Sequence, residues 1–210
     1  TFLDFRVPQE RALRFFYVLP FTERRAMVEY TLFSNQTLRR DAYEDALRSY
    51  LKETLDVDTY DIISTERGSV PIMDQPLPRQ RGRRILSIGA KAGRIKPSTG
   101  YAFVRVQKDS VGIVDSLLIY GHPFDVPEDP DLYDLLDAVM LQVMEHHGEH
   151  IQRAFTAMFQ RNPVEHIFNF LDESATPWEN LLLVSSLPPQ LFIRSALSLL
   201  KVPPRAIRGM

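Results

Sequence analysis

Cysteine is absent from this chain of 210 residues. Without thiols there is no disulfide, no thiolate nucleophile and no cysteine-bound zinc, and such a composition is typical of a reducing compartment. No apolar run reaches the length of a membrane-spanning helix. The formal net charge is −2, so no basic field indicates nucleic acid as a partner. What remains is the composition of an ordinary globular protein, with 44% hydrophobic and 25% charged residues.

Several motifs of known chemistry are missing as well. The sequence has no GxGxxG dinucleotide fingerprint, no P-loop and no GxSxG elbow. It starts "TFLDFRVPQE", directly on a strand-like pattern, without an initiator methionine or a signal peptide. We therefore expect this chain to be a portion of a longer one.

The first part of the chain, residues 1–84, is predicted to be rich in β-structure. Four segments are typical of strands, with a turn at Gly68 in the last: "LDFRV", "RFFYVLPF", "RAMVEYTLFS" and "DTYDIISTERGSVPI". In the third segment Ala26, Val28, Tyr30 and Leu32 share one face, and Met27, Glu29, Thr31 and Phe33 share the other. Between the third and the fourth, "DAYEDALRSYLKETL" has the spacing of an amphipathic helix. Residues 74–84 are predicted to form an exposed connection.

The remainder is predicted as a strand–loop–helix segment over residues 85–120 and a helical region over residues 121–210. Helical patterns cover residues 98–119 and 130–160. Three further segments place proline near a helix start: "PVEHIFNFL", "PWENLLLVSSL" and "PPQLFIRSALSLL". The last is either an amphipathic membrane-surface helix or an ordinary core helix.

The segment "SIGAKAGRIKPSTGYAFVRVQ", residues 87–107, places small residues where a strand leads into a helix. Gly89, Gly93 and Gly100 permit a close approach to the main chain, and Ser98 or Thr99 would cap the helix. Free amides at a helix start favour an anion or a dipole. The pattern leaves two interpretations open: a ligand-binding loop, or a tight turn with no ligand.

Two glutamates are candidates for a general acid. Glu29 lies in the apolar strand "RRAMVEYTLFS"; a carboxyl on a buried face keeps its proton near neutral pH and can act as a general acid. The alternative, which the local pattern favours, is a solvent-facing glutamate paired with Arg24 or Arg25. Glu66 precedes a glycine turn and is typical of a surface strand end. His146 and His150 have a metal-chelating spacing, but the cluster is more typical of solvated surface histidines, and we predict no metal site.

Taken in order, the blocks "LDFR", "FFYVLPF", "RAMVEYTLFS", "ERGSVPIMD", "RRILSIGAKAGRIKPSTGYAFVRVQ" and "FLDE" resemble the lycopene cyclases, which are flavoprotein carotenoid cyclases. The resemblance runs from residue 3 to about residue 190. "IGAKAG" followed by "PSTGYAF" is its most specific part, and "YVLP" with "VEYT" is nearly as specific. The fold it implies is α/β with α+β character: part of an FAD-dependent cyclase and hydroxylase-like fold, with a β-rich substrate-binding layer and a helical C-terminal region.

The resemblance also implies a reaction. Such enzymes hold FAD without a covalent bond and use it reduced, with NADPH as the expected reductant, while they convert the linear ends of lycopene into β-ionone rings without net redox change. By the match to "VEYT", Glu29 is implied as the acid that protonates the terminal double bond. Glu66 is a weaker candidate in the substrate pocket. The residues implied to border the flavin are Gly89, Gly93, Pro97, Ser98, Thr99, Gly100 and Tyr101.

This sequence departs from the family pattern in two ways. The Rossmann fingerprint that binds the ADP part of FAD is missing, so we expect a C-terminal portion of the enzyme. Tyr30 stands where plant-type members have a second acid. The expected partner is lycopene, and no nucleic acid is expected to bind. The protein is expected in the cytoplasm, attached peripherally to a membrane. Two alternatives stay open: another FAD-dependent enzyme, of the geranylgeranyl-reductase or monooxygenase type, and a non-catalytic fragment that binds lipid or carotenoid.

Overall fold

The computed structural model describes residues 1–74, 77–127 and 131–199, without the side chain of Asp131. The chain separates into two compact units. Unit 1 comprises Thr1–Ser69 and Met144–Ala154, and unit 2 comprises Val70–Val143 and Phe155–Met210. The three-part division expected from the sequence, with boundaries at residues 84 and 120, stays a prediction.

Unit 1 is built on a β-hairpin. Strand β1 (Leu13–Thr22) pairs antiparallel with strand β2 (Arg25–Phe33), which confirms both predicted strands. Their aromatic and β-branched residues suit a pleated, half-buried surface. The register shifts between Pro20 and Thr22, next to the turn, and the strand ends near this turn are exposed.

The predicted amphipathic helix follows the hairpin. Helix α1 (Arg40–Ser49) continues into a π-helical turn, Tyr50–Thr54. Its outer surface carries ion pairs one turn apart, such as Arg40 with Glu44 at 2.7 Å. Its inner surface delivers Tyr50, which is 3% exposed, to the hairpin. The helix therefore covers one face of the sheet, as its spacing predicts.

Two strand predictions in unit 1 are wrong. Residues 58–72, all described, form no strand, and Ile62 and Ile63 in this segment are 69% and 71% exposed. A strand needs a neighbouring ladder of N–H and C=O groups, and no described part of the chain provides one beside this segment. "LDFRV" reaches only an isolated bridge, in which Asp4 and Phe16 exchange backbone hydrogen bonds of 2.8 and 2.9 Å.

Unit 2 is mainly helical, with one small hairpin of strands β3 (Gln80–Gly82) and β4 (Ile85–Leu86). Its helices are α2 (Phe103–Tyr120), α3 (Asp131–His147), α4 (Ile151–Arg161), α5 (Val164–Leu171), α6 (Pro177–Ser186) and α7 (Pro189–Leu199). Helices α3 and α4 also contribute residues to unit 1. Fully buried Ile167 and Leu183 lie where α5 packs on α6. The mixed α/β class predicted from the sequence is confirmed.

Proline marks the helix starts as predicted. Pro177 is the first residue of α6, and Thr176 caps this helix: its Oγ1 accepts from the Glu179 amide at 3.3 Å, while the Glu179 carboxylate accepts from the Thr176 amide at 2.7 Å. Pro163 precedes α5 and Pro189 begins α7. Each of the three proline-started segments forms a helix because the fixed φ of proline suits a first turn.

Two helix boundaries differ from the predictions. Helix α2 begins at Phe103 rather than at residue 98, because residues 96–101 close a turn of their own. The pattern over residues 130–160 divides at Gly148, where a 3₁₀ turn separates α3 from α4. A Cβ at Gly148 would come within 2.9 Å of the Ala12 Cα, so this contact requires glycine. Residue 130, predicted to start the helix, lies outside the described residues.

Among the described residues no single helix is both long and apolar enough to cross a membrane. Helices α6 and α7 reach that threshold only as a pair, and they are bent by 111° at the break between them.

Candidate functional site

Glu29 lies in the middle of β2, directly opposite Tyr17 of β1. Opposed residues in an antiparallel pair share a face, so the pairing register defines the surroundings of this carboxylate. The face of Glu29 comprises Phe15, Tyr17 and Leu19 of β1 together with Met27, Thr31 and Phe33 of β2. Glu29 is the only acidic residue in either strand. The predicted division of β2 into two faces is confirmed, and the face of Glu29 is mainly apolar and aromatic.

Aromatic rings cluster along this face. The Tyr17 ring lies 5.1 Å from the Phe15 ring and 5.6 Å from the Phe2 ring, in edge-on and tilted orientations. Phe15 is buried, whereas Leu19 and Met27, toward the turn, are 43% and 38% exposed. Glu29 thus lies between a buried aromatic end of the face and an exposed apolar end.

The Glu29 carboxylate itself is exposed and accepts a hydrogen bond of 2.8 Å from the Thr31 hydroxyl. The condition that its face be buried is therefore not met by this chain alone. Glu66 is also exposed, in the irregular segment that follows α1. Whether either glutamate acts as an acid stays a prediction.

Tyr30 points to the opposite face, as neighbouring residues of a strand must. There the Phe16 ring is stacked between the rings of Tyr30 and Tyr50, with centroid distances of 4.8 and 3.8 Å. Burial raises the pKa of Tyr30. The residue that stands in place of a second acid is thus half-buried against the core residue Phe16 and does not share a face with Glu29.

A buried carboxylate supports this aromatic core. Asp4, 5% exposed, accepts a hydrogen bond of 2.6 Å from the Tyr50 hydroxyl and forms an ion pair of 2.6 Å with Arg6. The hydrogen bond from Arg6 holds the pKa of Asp4 well below its usual range. Burial, and then the bond to Asp4, raise the pKa of Tyr50 to about 12. The sequence offered no signal for this pair beyond an acid in a strand-like segment.

The glycine-rich segment of unit 2 forms two successive turns. A 3₁₀ turn, Gly89–Ala92, ends at Gly93, whose φ of 73° lies in the left-handed region that favours glycine. The second turn is closed by Lys96: its amide donates to the Tyr101 carbonyl at 2.7 Å, and its carbonyl accepts from the Gly100 amide at 2.8 Å. We call residues 96–101 the Lys96 turn.

The predicted helix caps are wrong. Helix α2 is preceded by Ala102, which has no side-chain acceptor. The Thr99 hydroxyl instead accepts from the Tyr101 amide at 3.2 Å, within the Lys96 turn. Ser98 lies four residues before the cap position, Ala102. The first turn of α2 therefore keeps amides that no cap residue satisfies.

The glycine-rich segment has room for a ligand beside it. A Cβ added at Gly89 or Gly93 would meet no atom within 4 Å, and α2 starts without a side-chain cap. Both features fit a polar group such as the flavin that the resemblance implies. Ser98 is 6% exposed, and its hydroxyl oxygen is fully buried with no hydrogen-bond partner among the described residues. Tyr101, which follows, is 37% exposed.

Four charged side chains that the sequence analysis passed over form a buried cluster in unit 2. Lys96 lies 2.6 Å from Glu173 and 3.3 Å from Asp137, and Arg105 forms ion pairs with the same two carboxylates. All four side chains are at most 8% exposed. We call this set the charge cluster. Its members are up to 77 residues apart, so no local pattern could have found it.

The cations of the charge cluster lower the pKa of Glu173. Burial by itself would raise the pKa of Glu173, but hydrogen bonds from Arg105 and the positive charge of Lys96 outweigh burial and lower it. The Lys96 ammonium also lies 5.1 Å from the centre of the Tyr133 ring and 5.9 Å from that of Phe170. Charges and ring faces together replace the water that the ammonium has lost.

A second ion pair, with a buried carboxylate and a half-buried guanidinium, lies near the start of unit 2. Arg79 makes two hydrogen bonds, of 2.6 and 3.1 Å, to the carboxylate of Asp109 on α2. Part of the predicted exposed connection is therefore anchored to a helix. The histidine candidates for a metal site, His146 and His150, are a separate case. The His150 ring lies 3.6 Å from Glu149, and no group of three metal-ligating side chains occurs within the described ranges.

Comparison with known proteins defines the class of this molecule. The family model described as lycopene cyclase protein matches residues 1–197. The chain therefore belongs to the lycopene cyclase family, which confirms the resemblance and makes it a member of a family of carotenoid-cyclising enzymes.

The chain is similar, in particular, to a plant protein. A relative from Arabidopsis thaliana, "Lycopene beta cyclase, chloroplastic", is 32% identical over 111 residues. The match covers 52% of this chain and 22% of the relative, so the chain spans only about a fifth of that relative's length. No solved structure matches the chain.

Proposed function

We propose that this chain is part of a lycopene β-cyclase, which closes β-ionone rings at the linear ends of lycopene. Membership of the lycopene cyclase family over residues 1–197 carries the proposal. The hairpin adds a residue-level argument, since the single acid in its two strands lies on an apolar and aromatic face.

The substrate side of the reaction is assigned to this face of the hairpin. A linear polyene end is apolar, and the exposed side chains of Leu19 and Met27 offer it a surface of the same kind next to Glu29. Positive charge that develops on the substrate during closure is stabilised by ring faces, and Tyr17 lies directly opposite the acid. The chemistry needs an acid, an apolar wall and aromatic rings together.

Glu29 is proposed as the acid. Its carboxyl group donates a proton to the terminal double bond, the resulting cation is attacked by the neighbouring double bond to close the ring, and a ring proton is lost, so electrons and protons balance. A carboxyl keeps its proton near neutrality only in a dry environment, and Glu29 is exposed here. We propose that the bound polyene, lying over Leu19 and Met27, supplies the missing cover.

Unit 2 is assigned to the flavin. Gly89, Gly93 and the Lys96 turn would border FAD. Reduced FAD, with NADPH as its reductant, would supply electron density that stabilises cationic character in the substrate. This chain contributes the N-terminus of α2, which has no side-chain cap and favours a negative charge beside it.

Attachment to a membrane surface is proposed because lycopene dissolves in membranes. The apolar side chains at the exposed surface of α6 and α7 include Trp178, Leu181 and Ile193, which are 65%, 58% and 57% exposed. An aromatic ring at the boundary and aliphatic side chains beside it suit an interfacial helix.

The proposal is tested by pigment analysis. The complete gene is expressed in cells that accumulate lycopene, and the carotenoids are separated by chromatography. We expect β-carotene or its one-ringed precursor. Unchanged lycopene, in cells where the protein is present and loaded with FAD, would refute the proposal.

Cofactor consumption separates the proposal from its main alternative. A cyclase forms rings without net consumption of NADPH, whereas a reductase or a monooxygenase of similar fold consumes NADPH with each product. We therefore expect many rings for each NADPH oxidised by the purified protein. One NADPH for each product formed would assign the protein to the redox class instead.

A further inference from the structure

The charge cluster places four charged side chains in the interior of unit 2, and the proposed reaction gives them no role. Lys96 and Asp137 are each about 2% exposed, and together with Arg105 and Glu173 they place two positive and two negative side chains out of water. Buried ion pairs recover their cost of desolvation only when their geometry is good, and apolar replacements of similar volume are often as stable. Stability alone is therefore a weak explanation for the cluster.

The backbone contacts of Lys96 indicate a different role. Its amide and carbonyl groups close the Lys96 turn through Tyr101, Thr99 and Gly100, with hydrogen bonds of 2.7, 3.2 and 2.8 Å. Its side chain, from the same residue, is bound to Asp137 of α3 and to Glu173 after α5. One residue thus both closes the turn and attaches it to the helical body of unit 2.

Arg105 makes the corresponding attachment on the other side of the turn. It is the third residue of α2, and its guanidinium binds the same Asp137 and Glu173 carboxylates. The entrance of the turn and the start of the following helix are therefore both held by one pair of acids. Residues 97–101 cannot move against α3 without separating buried opposite charges.

Glu173 itself lies in an unfavourable backbone conformation. Its φ is 57°, in the left-handed region that non-glycine residues seldom adopt. Such conformations persist where the surroundings over-determine them, and they cluster at sites where exact placement matters. Here the placement aims the Glu173 carboxylate at Lys96 and Arg105.

We propose that Lys96 is a positioning residue, which through the charge cluster holds the Lys96 turn in the conformation that borders the flavin. The flavin part of this inference rests on the proposed function; the positioning of the turn does not. Lys96 does not itself contact the cofactor, because its ammonium is occupied by two carboxylates and two ring faces.

The test uses a single variant, a double variant and a control in the complete protein. Lys96→Met removes the attachment and leaves an excess negative charge. Lys96→Met/Asp137→Asn removes the same attachment but restores the charge balance, leaving Arg105 with Glu173. Arg79→Met, the control, deprives buried Asp109 of a cation in the same unit without touching the Lys96 turn.

The first measurement is amide hydrogen exchange in a peptide that covers the Lys96 turn. In Lys96→Met we expect exchange of the Thr99 and Gly100 amides at least ~10-fold faster than in the original protein, and in Arg79→Met no change. The double variant should regain much of the lost unfolding midpoint while exchange in the turn stays fast. Separation of these two readouts distinguishes positioning from charge balance.

Two outcomes overturn the inference. One is exchange in the turn that is equal in Lys96→Met and the original protein. The other is a double variant in which stability and protection of the turn both recover. If Lys96→Met does not fold, the double variant still provides the decisive comparison.

The second measurement is FAD affinity and the absorption spectrum of the bound flavin. We expect Lys96→Met and the double variant to bind FAD at least ~10-fold more weakly, with a shifted spectrum, and Arg79→Met to bind it normally. Unchanged FAD affinity in the double variant would refute the flavin part of the inference. Failure of the original protein to bind FAD would instead refute the proposed function, while the exchange result would still decide whether Lys96 positions the turn.

Discussion

Glu29, in the hairpin of unit 1, and Lys96, in the Lys96 turn of unit 2, differ in their exposure and in their partners. Glu29 is exposed and has a single side-chain partner, the Thr31 hydroxyl. Lys96 is buried and has two carboxylates and two aromatic rings around it. An acid that must release a proton to a substrate needs an open approach, whereas a residue that holds a loop needs fixed partners. The difference in contacts supports the proposed roles of Glu29 as a reacting group and of Lys96 as a positioning group.

The largest effect is expected when the exposed member of this comparison is changed. Glu29→Gln removes the proton donor and should lower ring formation by about 10²–10⁴-fold, the usual contribution of a general acid. FAD binding should be unaffected. Pigments from lycopene-accumulating cells provide the measurement.

A matched control is available in the same hairpin. Glu23→Gln changes an exposed glutamate at the turn and should leave β-carotene formation unchanged. Normal ring formation by Glu29→Gln would exclude Glu29 as the acid and leave Glu66 as the remaining candidate.

The second prediction concerns the buried face behind Glu29. Phe16 is 0% exposed and lies between two stacked rings, so Phe16→Ala should lower the free energy of unfolding by about 3–5 kcal/mol. Phe21→Ala, in the same strand but at a side chain that is 63% exposed, should cost less than about 1 kcal/mol. Urea denaturation followed by circular dichroism measures both. Equal losses would contradict the two-faced hairpin.

The third prediction is a dependence of stability on alkaline pH. Tyr50 has an ordinary pKa of 10.0 when unfolded and about 12 in the folded protein. Its contribution to stability is therefore complete below pH 10.0 and is lost as the pH rises toward about 12. The loss amounts to about 2–3 kcal/mol, at roughly 1.4 kcal/mol for each pKa unit.

Unfolding experiments at several alkaline pH values measure this loss. Tyr50→Phe should be less stable at neutral pH, because the bond to Asp4 is gone, and should depend less on alkaline pH. An identical alkaline profile in the two proteins would show that Tyr50 is not the group responsible.

The smallest effect is expected at the glycine turn. Gly93 has a φ of 73°, and an added Cβ would meet no atom within 4 Å, so Gly93→Ala tests backbone strain alone. The cost should be about 1–2 kcal/mol. Gly68→Ala also meets no atom within 4 Å and lacks a left-handed φ, so it should be neutral or stabilise by up to about 1 kcal/mol. Thermal unfolding of both variants measures the difference, and equal midpoints would contradict the assigned backbone conformation.

Local patterns predicted the local features of this fold. Alternation placed Glu29 and Tyr30 on opposite faces of β2, and proline marked the starts of α5, α6 and α7. Similar reasoning failed for residues 58–72, where a strand-like composition lacks a partner strand. It also failed for the caps of α2, because the hydroxyl of Thr99 is used inside the Lys96 turn.

The candidate site was only partly accessible to such reasoning. Family resemblance singled out Glu29 and the glycine-rich segment, but no pattern indicated that Lys96 joins Asp137 and Glu173, which are 41 and 77 residues further along the chain. Contacts over such separations depend on how the helices of unit 2 pack.

The sequence by itself determined the hairpin and the helices with their proline starts, because periodicity and backbone sterics act over a few residues. The resemblance of its ordered sequence blocks indicated the carotenoid-cyclising family. Only the tertiary structure decided that Glu29 is exposed, that the half-buried Tyr30 stacks on Phe16, and that Lys96 is enclosed by two acids. Burial and charge pairing are properties of neighbours in space, and those neighbours come from distant parts of the chain.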